Sequence, residues 1–203
     1  HIRKTFNPGT VNEKAAIRDL SLHLEPGDFV TVIGSNGAGK STMFAAIAGS
    51  FITDSGSITL NGKDITFAPE YQRSRVIGRL FQDPLKGTAP HMTIAENLAL
   101  AYTRGRRFPL APALQRRDID DLRQRLAAFG MGLEDRMRVK VGQLSGGQRQ
   151  AMALLMATVA KPKLLLLDEH TAALDPATAE KVLHITVQTV KEQRLTTMMI
   201  THN

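Results

Sequence analysis

The run Gly34-Ser35-Asn36-Gly37-Ala38-Gly39-Lys40-Ser41-Thr42 carries the chain's most specific chemistry. Gly34 to Ser41 satisfies the pattern of a phosphate-binding loop, in which glycines let the backbone wrap with its N–H groups pointing inward. A triphosphate would meet those donors together with the positive end of the helix that follows. Lys40 is placed to reach the β- and γ-phosphates of ATP, and Ser41 to hold Mg²⁺. An accidental glycine-rich turn is the bland alternative, and it does not explain why lysine and serine stand at both required places.

The complementary half is Leu164-Leu165-Leu166-Leu167-Asp168-Glu169, an apolar run that ends in two adjacent carboxylates. A buried parallel strand would present them at its C-terminal edge, where nucleotides bind in sheets of this kind. Asp168 suits Mg²⁺, held through water. Glu169, expected to point the other way along the strand, suits a general base for the attacking water. The alternative is a pair of strand-end charges that simply stay in solvent.

Other patterns supply the elements that would position these groups. Phe29 to Ile33 is an apolar run too short for a helix and leads into the glycine loop, and Phe44, Ile47, Ala48 and Phe51 then recur with helical spacing. Leu20, Leu22 and Leu24 alternate with polar residues, and Ser57 to Leu60 is followed by the hairpin dipeptide Asn61-Gly62, which together predict an antiparallel edge layer. Thr93 and Glu96 fit a capping box ahead of Ile94, Leu98 and Ala101. Ile119, Leu122, Leu126 and Phe129 make a second stripe ending near Gly130, and Ala151, Leu154, Leu155 and Val159 a third, closed by Pro162. Asp175-Pro176 opens a further helix with Leu183, Val187 and Val190 on one side, and Met198 to Thr201 is a last strand that delivers His202. The order predicts an α/β fold with a mostly parallel core sheet and an inserted helical subdomain.

Composition is compatible with one medium domain. The 203 residues are 42% hydrophobic and 22% charged, with a net charge of +7 and a pI near 10.0. No apolar run approaches the roughly 20 residues needed to cross a bilayer. Cysteine is absent, which excludes disulfides and thiolate metal sites and points to the cytoplasm. The basic stretch Arg104-Gly105-Arg106-Arg107, with Arg116-Arg117, lacks interleaved aromatics and reads as a solvated face rather than a nucleic-acid groove. The chain opens at His1 and stops at Asn203, as a trimmed chain would.

Leu144-Ser145-Gly146-Gly147-Gln148 separates this chain from other phosphate-loop proteins. Two glycines and a serine at a helix start make a second phosphate cradle of N–H groups, a hydroxyl and a helix dipole, although a glycine-rich N-cap without a ligand has the same composition. With Gln82 in Leu80-Phe81-Gln82-Asp83-Pro84, Ala173-Leu174-Asp175 after the acidic pair, and His202 in Ile200-Thr201-His202, the chain resembles the nucleotide-binding domain of the ATP-binding cassette (ABC) family along essentially its whole length, and its bacterial importers in particular. His170 departs from the usual proline, and Ala172 from the usual small hydroxyl residue.

The resemblance implies a RecA-like core over residues 1–82 and 144–203, with a helical subdomain over 83–143. It implies ATP and Mg²⁺ as ligands, with Ser41, Gln82 and Asp168 around the metal and Glu169, Gln82 and His202 in catalysis. Leu144, Ser145, Gly146, Gly147, Gln148 and Asp175 would act on ATP held by a partner subunit in a head-to-tail dimer, a homodimer in the simplest case. Phe6 would stack on adenine, though packing within the edge sheet accounts for it equally. The implied setting is the inner face of a cell membrane, with separate permease subunits and a ligand-binding protein of an uptake system, and no nucleic acid. A lipid or peptide exporter ATPase is left open within the family, and a soluble ABC machine acting on ribosomes or nucleic acid is the competing reading.

Overall fold

The computed structural model describes residues 1–104 and 115–201. Strands β1 (Ile2–Phe6) and β2 (Lys14–Leu20) form an antiparallel pair. β3 (Phe29–Val32) then leads into the glycine loop and α1 (Lys40–Ala48). A hairpin of β4 (Thr59–Leu60) and β5 (Lys63–Asp64) turns through Asn61 and Gly62, both at positive φ, as the dipeptide predicts. The antiparallel part is therefore two separate ladders. The leucine alternation outruns its strand: β2 stops at Leu20, and Leu22 is half exposed. The helical stripe through Phe51 is likewise cut short, because Gly49 caps α1 in the left-handed conformation.

The one-turn helix α2 (Glu70–Arg73) contributes a buried arginine. Arg73 donates to the carbonyls of Ala46 and Ile47 in the last turn of α1 and to those of Thr66 and Ala68, clamping the end of α1 to the following loop. After β6 (Ile77–Leu80) come α3 (Ile94–Tyr102) and α4 (Arg116–Ala128), then α5 (Gly146–Thr158), β7 (Leu164–Asp168), α6 (Pro176–Gln193) and β8 (Thr197–Ile200).

The core sheet is parallel, in the order β3-β8-β7-β6. Alternation along β7 explains its unbroken leucines. Leu164 and Leu166 pack with Met43, Phe44 and Ala48 of α1, whereas Leu165 and Leu167 pack with Ala153, Leu154 and Ala157 of α5 and Ile185 and Val190 of α6. A third cluster joins Ile94, Leu98 and Ala101 of α3 to Leu122 and Leu126 of α4 and Met152 and Leu155 of α5. The capping box at Thr93 and Glu96 is present.

The buried face of α6 differs from the expected stripe. Leu183 is 39% exposed, and Val182, Ile185, Thr186, Thr189 and Val190 face inward. The threonines enter the core because each hydroxyl is satisfied within the helix, Thr186 donating to the Val182 carbonyl and Thr189 to that of Ile185, both at 2.8 Å.

Candidate functional site

The loop between β3 and α1 owes its shape to glycine. Gly37 (φ 81°) and Gly39 (φ 90°) are left-handed, and a Cβ on Gly39 would lie 2.9 Å from the Ala16 carbonyl oxygen. Gly39 caps α1 without any side-chain hydrogen bond, so the helix's first donors keep no side-chain acceptor. Lys40 is buried and folded back over the loop, its Nζ donating to the carbonyls of Gly34 and Ser35. A depression of about 200 Å³ is lined by residues 36–42, Ala15, Ala16, Phe6 and Glu169. Phe6 thus reaches the depression while its ring also meets Phe51 edge-on at 5.2 Å. The ring therefore packs against a neighbouring aromatic and also borders the depression where adenine stacking is expected of it.

The carboxylates arrive from β7. Asp168 Oδ1 accepts from the Ser41 hydroxyl at 3.4 Å, and its Oδ2 stands 3.9 Å from Nη2 of Arg79 on the neighbouring strand. Burial raises the Asp168 carboxyl above its ordinary value; Arg79, Ser41 and Lys40 pull it back, and the charge of Glu169 raises it further. Glu169 does not continue the strand as expected. It adopts φ 45° and begins a turn, its N–H donating to the Ile200 carbonyl and its own carbonyl accepting from Ala172. The left-handed conformation costs a glutamate about 1–2 kcal/mol, and Glu169 lines the glycine-loop depression.

His170, at the next position, is buried and bonded through Nε2 to the Thr186 hydroxyl of α6 at 3.2 Å. Burial pushes its imidazole down to about 4, so it is neutral near pH 7. A second cavity, about 650 Å³, brings Gln82 together with Ser41, Asp168, His170 and Gly146. Gln82 follows β6 on an exposed loop, and Asp83 caps the next turn by accepting from Leu85 N–H.

Ser145 caps α5 in a full capping box: its Oγ accepts from the Gln148 N–H and its own N–H donates to Gln148 Oε1, both at 3.3 Å. Gln148 also donates to the Met131 carbonyl. None of Leu144, Ser145, Gly146, Gly147 or Gln148 lines the glycine-loop depression. Asp175 caps α6, accepting from Thr178 N–H at 3.0 Å, and the Thr178 hydroxyl together with that N–H holds its carboxyl below the usual range. His202 lies outside the described residues, as do Gly105, Arg106 and Arg107 of the basic stretch. Arg79 is a residue that motif reading missed. Its signal was present, a lone cation in the apolar strand Ile77-Gly78-Arg79-Leu80.

Hard oxygen donors from Ser41 and Asp168, side by side, fit Mg²⁺, which takes few protein ligands and completes its shell with phosphate and water. Among the described residues no group of three His, Cys, Asp or Glu side chains forms an alternative metal site.

Comparison with known proteins converges with this geometry. The ABC transporter family profile matches residues 17–172. The tyrosine transport ATP-binding protein of Clostridioides difficile (strain R20291) is 45% identical over 204 residues, covering all of this chain and 80% of the relative. The thiamine import ATP-binding protein ThiQ of Escherichia coli (strain K12) is 36% identical over 91% of this chain and 74% of its own length. Among solved structures, a dimeric ATP-binding cassette in a post-hydrolysis state with ADP and phosphate superposes with a TM-score of 0.82 at 27% identity, covering 100% of this chain and 86% of that one. The cbiO1 protein of Clostridium perfringens, part of the transporter complex cbiONQ, gives 0.75 at 25% identity, over 98% and 76%. With the nucleotide loop, acidic strand end and signature helix in place, the chain belongs to the ABC transporter family and is its ATP-binding subunit, an ABC-type ATPase.

Proposed function

We propose that this ATPase drives uptake of a small organic solute, of the amino-acid class, through separate membrane subunits at the inner face of the cell membrane. Similarity across this chain to a tyrosine transport subunit supports the cargo class, and similarity to a thiamine import subunit supports the direction. Division of labour within the chain follows the two regions: residues 1–82 and 144–203 hold nucleotide, and 83–143 carry the contact with the membrane subunits.

The observation that carries the mechanism is that Leu144, Ser145, Gly147 and Gln148 line neither the phosphate-loop depression nor the cavity around Ser41 and Asp168, which the signature reaches only through Gly146. A cradle set mostly apart from its own nucleotide site is available to the nucleotide of a second copy, in a head-to-tail dimer. Residues 34–42 and Phe6 grip ATP from one side; Leu144, Ser145, Gly146, Gly147, Gln148 and Asp175 close over it from the other. Mg²⁺, when bound, neutralises phosphate charge and orients the oxygens of the reacting phosphate. Ser41 and Asp168 would hold it, with Gln82 lining the same cavity. Glu169 takes the proton of the attacking water, and His202 steadies the γ-phosphate.

Glu169→Gln tests this reading. The amide keeps the side chain's shape and cannot act as a base, so hydrolysis falls by about 10²–10⁴-fold while ATP affinity persists. The variant should form a dimer with ATP and not with ADP, and adding Ser145→Arg should abolish that dimer without weakening ATP binding to the single chain. A Glu169→Gln protein that stays monomeric by light scattering at high concentration with ATP would contradict the sandwich. Purification from the native membrane tests the setting: companion permease subunits support it, and recovery with ribosomes or DNA overturns it.

A further inference from the structure

Arg79 stands where the core sheet has little use for a cation. Its neighbours Ile77 and Leu80 are buried, and its own side chain is only 17% exposed. Burial lowers its guanidinium from the ordinary value, with Asp168 and Glu70 opposing. Three groups surround it. Nη2 faces Asp168 Oδ2 at 3.9 Å, Cζ lies 4.5 Å from the centre of the Phe81 ring, and Nη1 lies 3.5 Å from the Ser50 hydroxyl, while Nε is buried without a hydrogen-bond partner.

The two oxygens of Asp168 are thereby divided, Oδ1 toward Ser41 and Oδ2 toward Arg79. Lys40 is bonded to two loop carbonyls, and among the described residues Arg79 is the only cation in an ion pair with Asp168. With Asp168 only 14% exposed, the pair is screened far less than a surface pair would be. The contact at 3.9 Å is nevertheless too long for a forked hydrogen bond, so the carboxylate is steadied without being locked.

We propose that Arg79 is the resident counter-cation of Asp168: it orients the carboxylate in the nucleotide-free site and competes with Mg²⁺ for it when the nucleotide arrives. Arg79 is a positioning residue in this role, acting on the metal through Asp168. Because its guanidinium also rests on Phe81, the residue before Gln82, movement of Asp168 toward the metal is felt at the start of the glutamine loop. The inference rests on the assignment of Mg²⁺ to Ser41 and Asp168.

Electrostatics gives the test opposite signs in two measurements. Removing the cation makes the site more negative, which favours Mg²⁺ and disfavours metal-free ATP. Binding of a fluorescent ATP analogue is titrated against Mg²⁺ at one fixed, mildly alkaline pH, and separately with a chelator present. For Arg79→Gln the half-saturating Mg²⁺ concentration should fall by about three- to tenfold and metal-free affinity should weaken by a similar factor, whereas Arg79→Lys should stay within about twofold of the parent. A purely structural arginine would weaken both measurements or neither. A midpoint in Arg79→Gln that is unchanged or raised, or an equal shift in Arg79→Lys, overturns the proposal. Should Arg79→Gln melt below the assay temperature, Arg79→Met, which fits the apolar strand, is read the same way. Asp168→Asn separates the two layers: it must raise the Mg²⁺ requirement, and a variant that does not would refute the metal assignment itself.

Discussion

Two glycine-rich helix starts in this chain look alike as sequence and are built for different reasons. Around the phosphate loop, Gly37 and Gly39 are glycines because their φ angles, 81° and 90°, admit little else. At the signature, neither Gly146 nor Gly147 has a positive φ; what demands glycine there is space. A Cβ on Gly147 would lie 2.1 Å from the Thr178 methyl, and one on Gly146 would lie 3.1 Å from Leu174 Cδ2. The first cradle leaves its helix start without a side-chain cap, whereas the second has its serine engaged in a capping box. One helix start is therefore shaped by backbone conformation and left uncapped, and the other is a packed joint against the start of α6 whose serine accepts a capping bond and keeps its own hydroxyl proton.

Lys40→Ala breaks the first cradle and should show the largest effect of all. The fold should survive, since Nζ bonds only to the two loop carbonyls, and tight ATP binding should be lost by at least about a hundredfold, the scale of a charge-assisted contact in a partly buried site. Isothermal titration with Mg²⁺-ATP decides it, and affinity equal to the parent would remove the phosphate-loop assignment. The signature cradle offers no counterpart, having no lysine.

Helix α6 meets the signature at Thr178 and the turn after Asp168 and Glu169 at Thr186, and the second contact is sensitive to acid. His170 is held neutral with its imidazole at about 4, below the ordinary 6.5, so the fold resists a proton that the unfolded chain accepts. Its contribution is complete above pH 6.5 and drains away as pH falls toward about 4, a loss on the order of 3 kcal/mol. Urea unfolding near neutral pH and near the lower limit should show the parent losing more stability than His170→Gln, whose amide can still bond Thr186. Equal losses would place the acid sensitivity elsewhere.

Sequence patterns carried the motifs and their order, because a loop defined by φ and a strand defined by burial leave residue types behind. The phosphate loop, the acidic strand end, the capping box at Thr93 and Glu96 and the Asp175-Pro176 helix start were legible for that reason. Features set by contact between distant segments were not. Spacing alone could not reveal that Thr186 and Thr189 face inward, since their hydroxyls are satisfied inside α6. It could not place Glu169 in a left-handed turn, nor show Arg73 clamping α1 across 26 and 27 residues. The reason for Gly147 lies equally beyond it, because Thr178 is 31 positions away and carries no motif.

Gly147→Ala sharpens the contrast between the cradles. Overpacking against Thr178 should destabilise the isolated chain by about 1–3 kcal/mol with no nucleotide present. Thr178→Ser, which deletes the obstructing methyl and keeps the hydroxyl, should restore at least half of that loss. Thermal unfolding of the two single variants and the double variant forms a complete cycle. Additive losses would show that the glycine is not there for this contact.

Ser145→Ala gives the smallest effect and the most specific one. In the single chain the hydroxyl has a structural task, accepting from Gln148 N–H, so its removal should cost about 0.5–1 kcal/mol of stability, the lower part of the range for a lost N-cap because both bonds of the box are long at 3.3 Å. ATP binding to that chain should not change, since Ser145 does not line the loop depression. The same substitution placed on Glu169→Gln should weaken ATP-driven dimerisation, because there the hydroxyl, which only accepts in its cap, would donate its proton to the partner's nucleotide. The serine is then read twice, once as a cap by chemical denaturation and once as a ligand by the dimer's dissociation constant. A stability loss without any change in dimerisation would leave it a cap alone, and the second cradle would have to rest on the backbone N–H groups of α5.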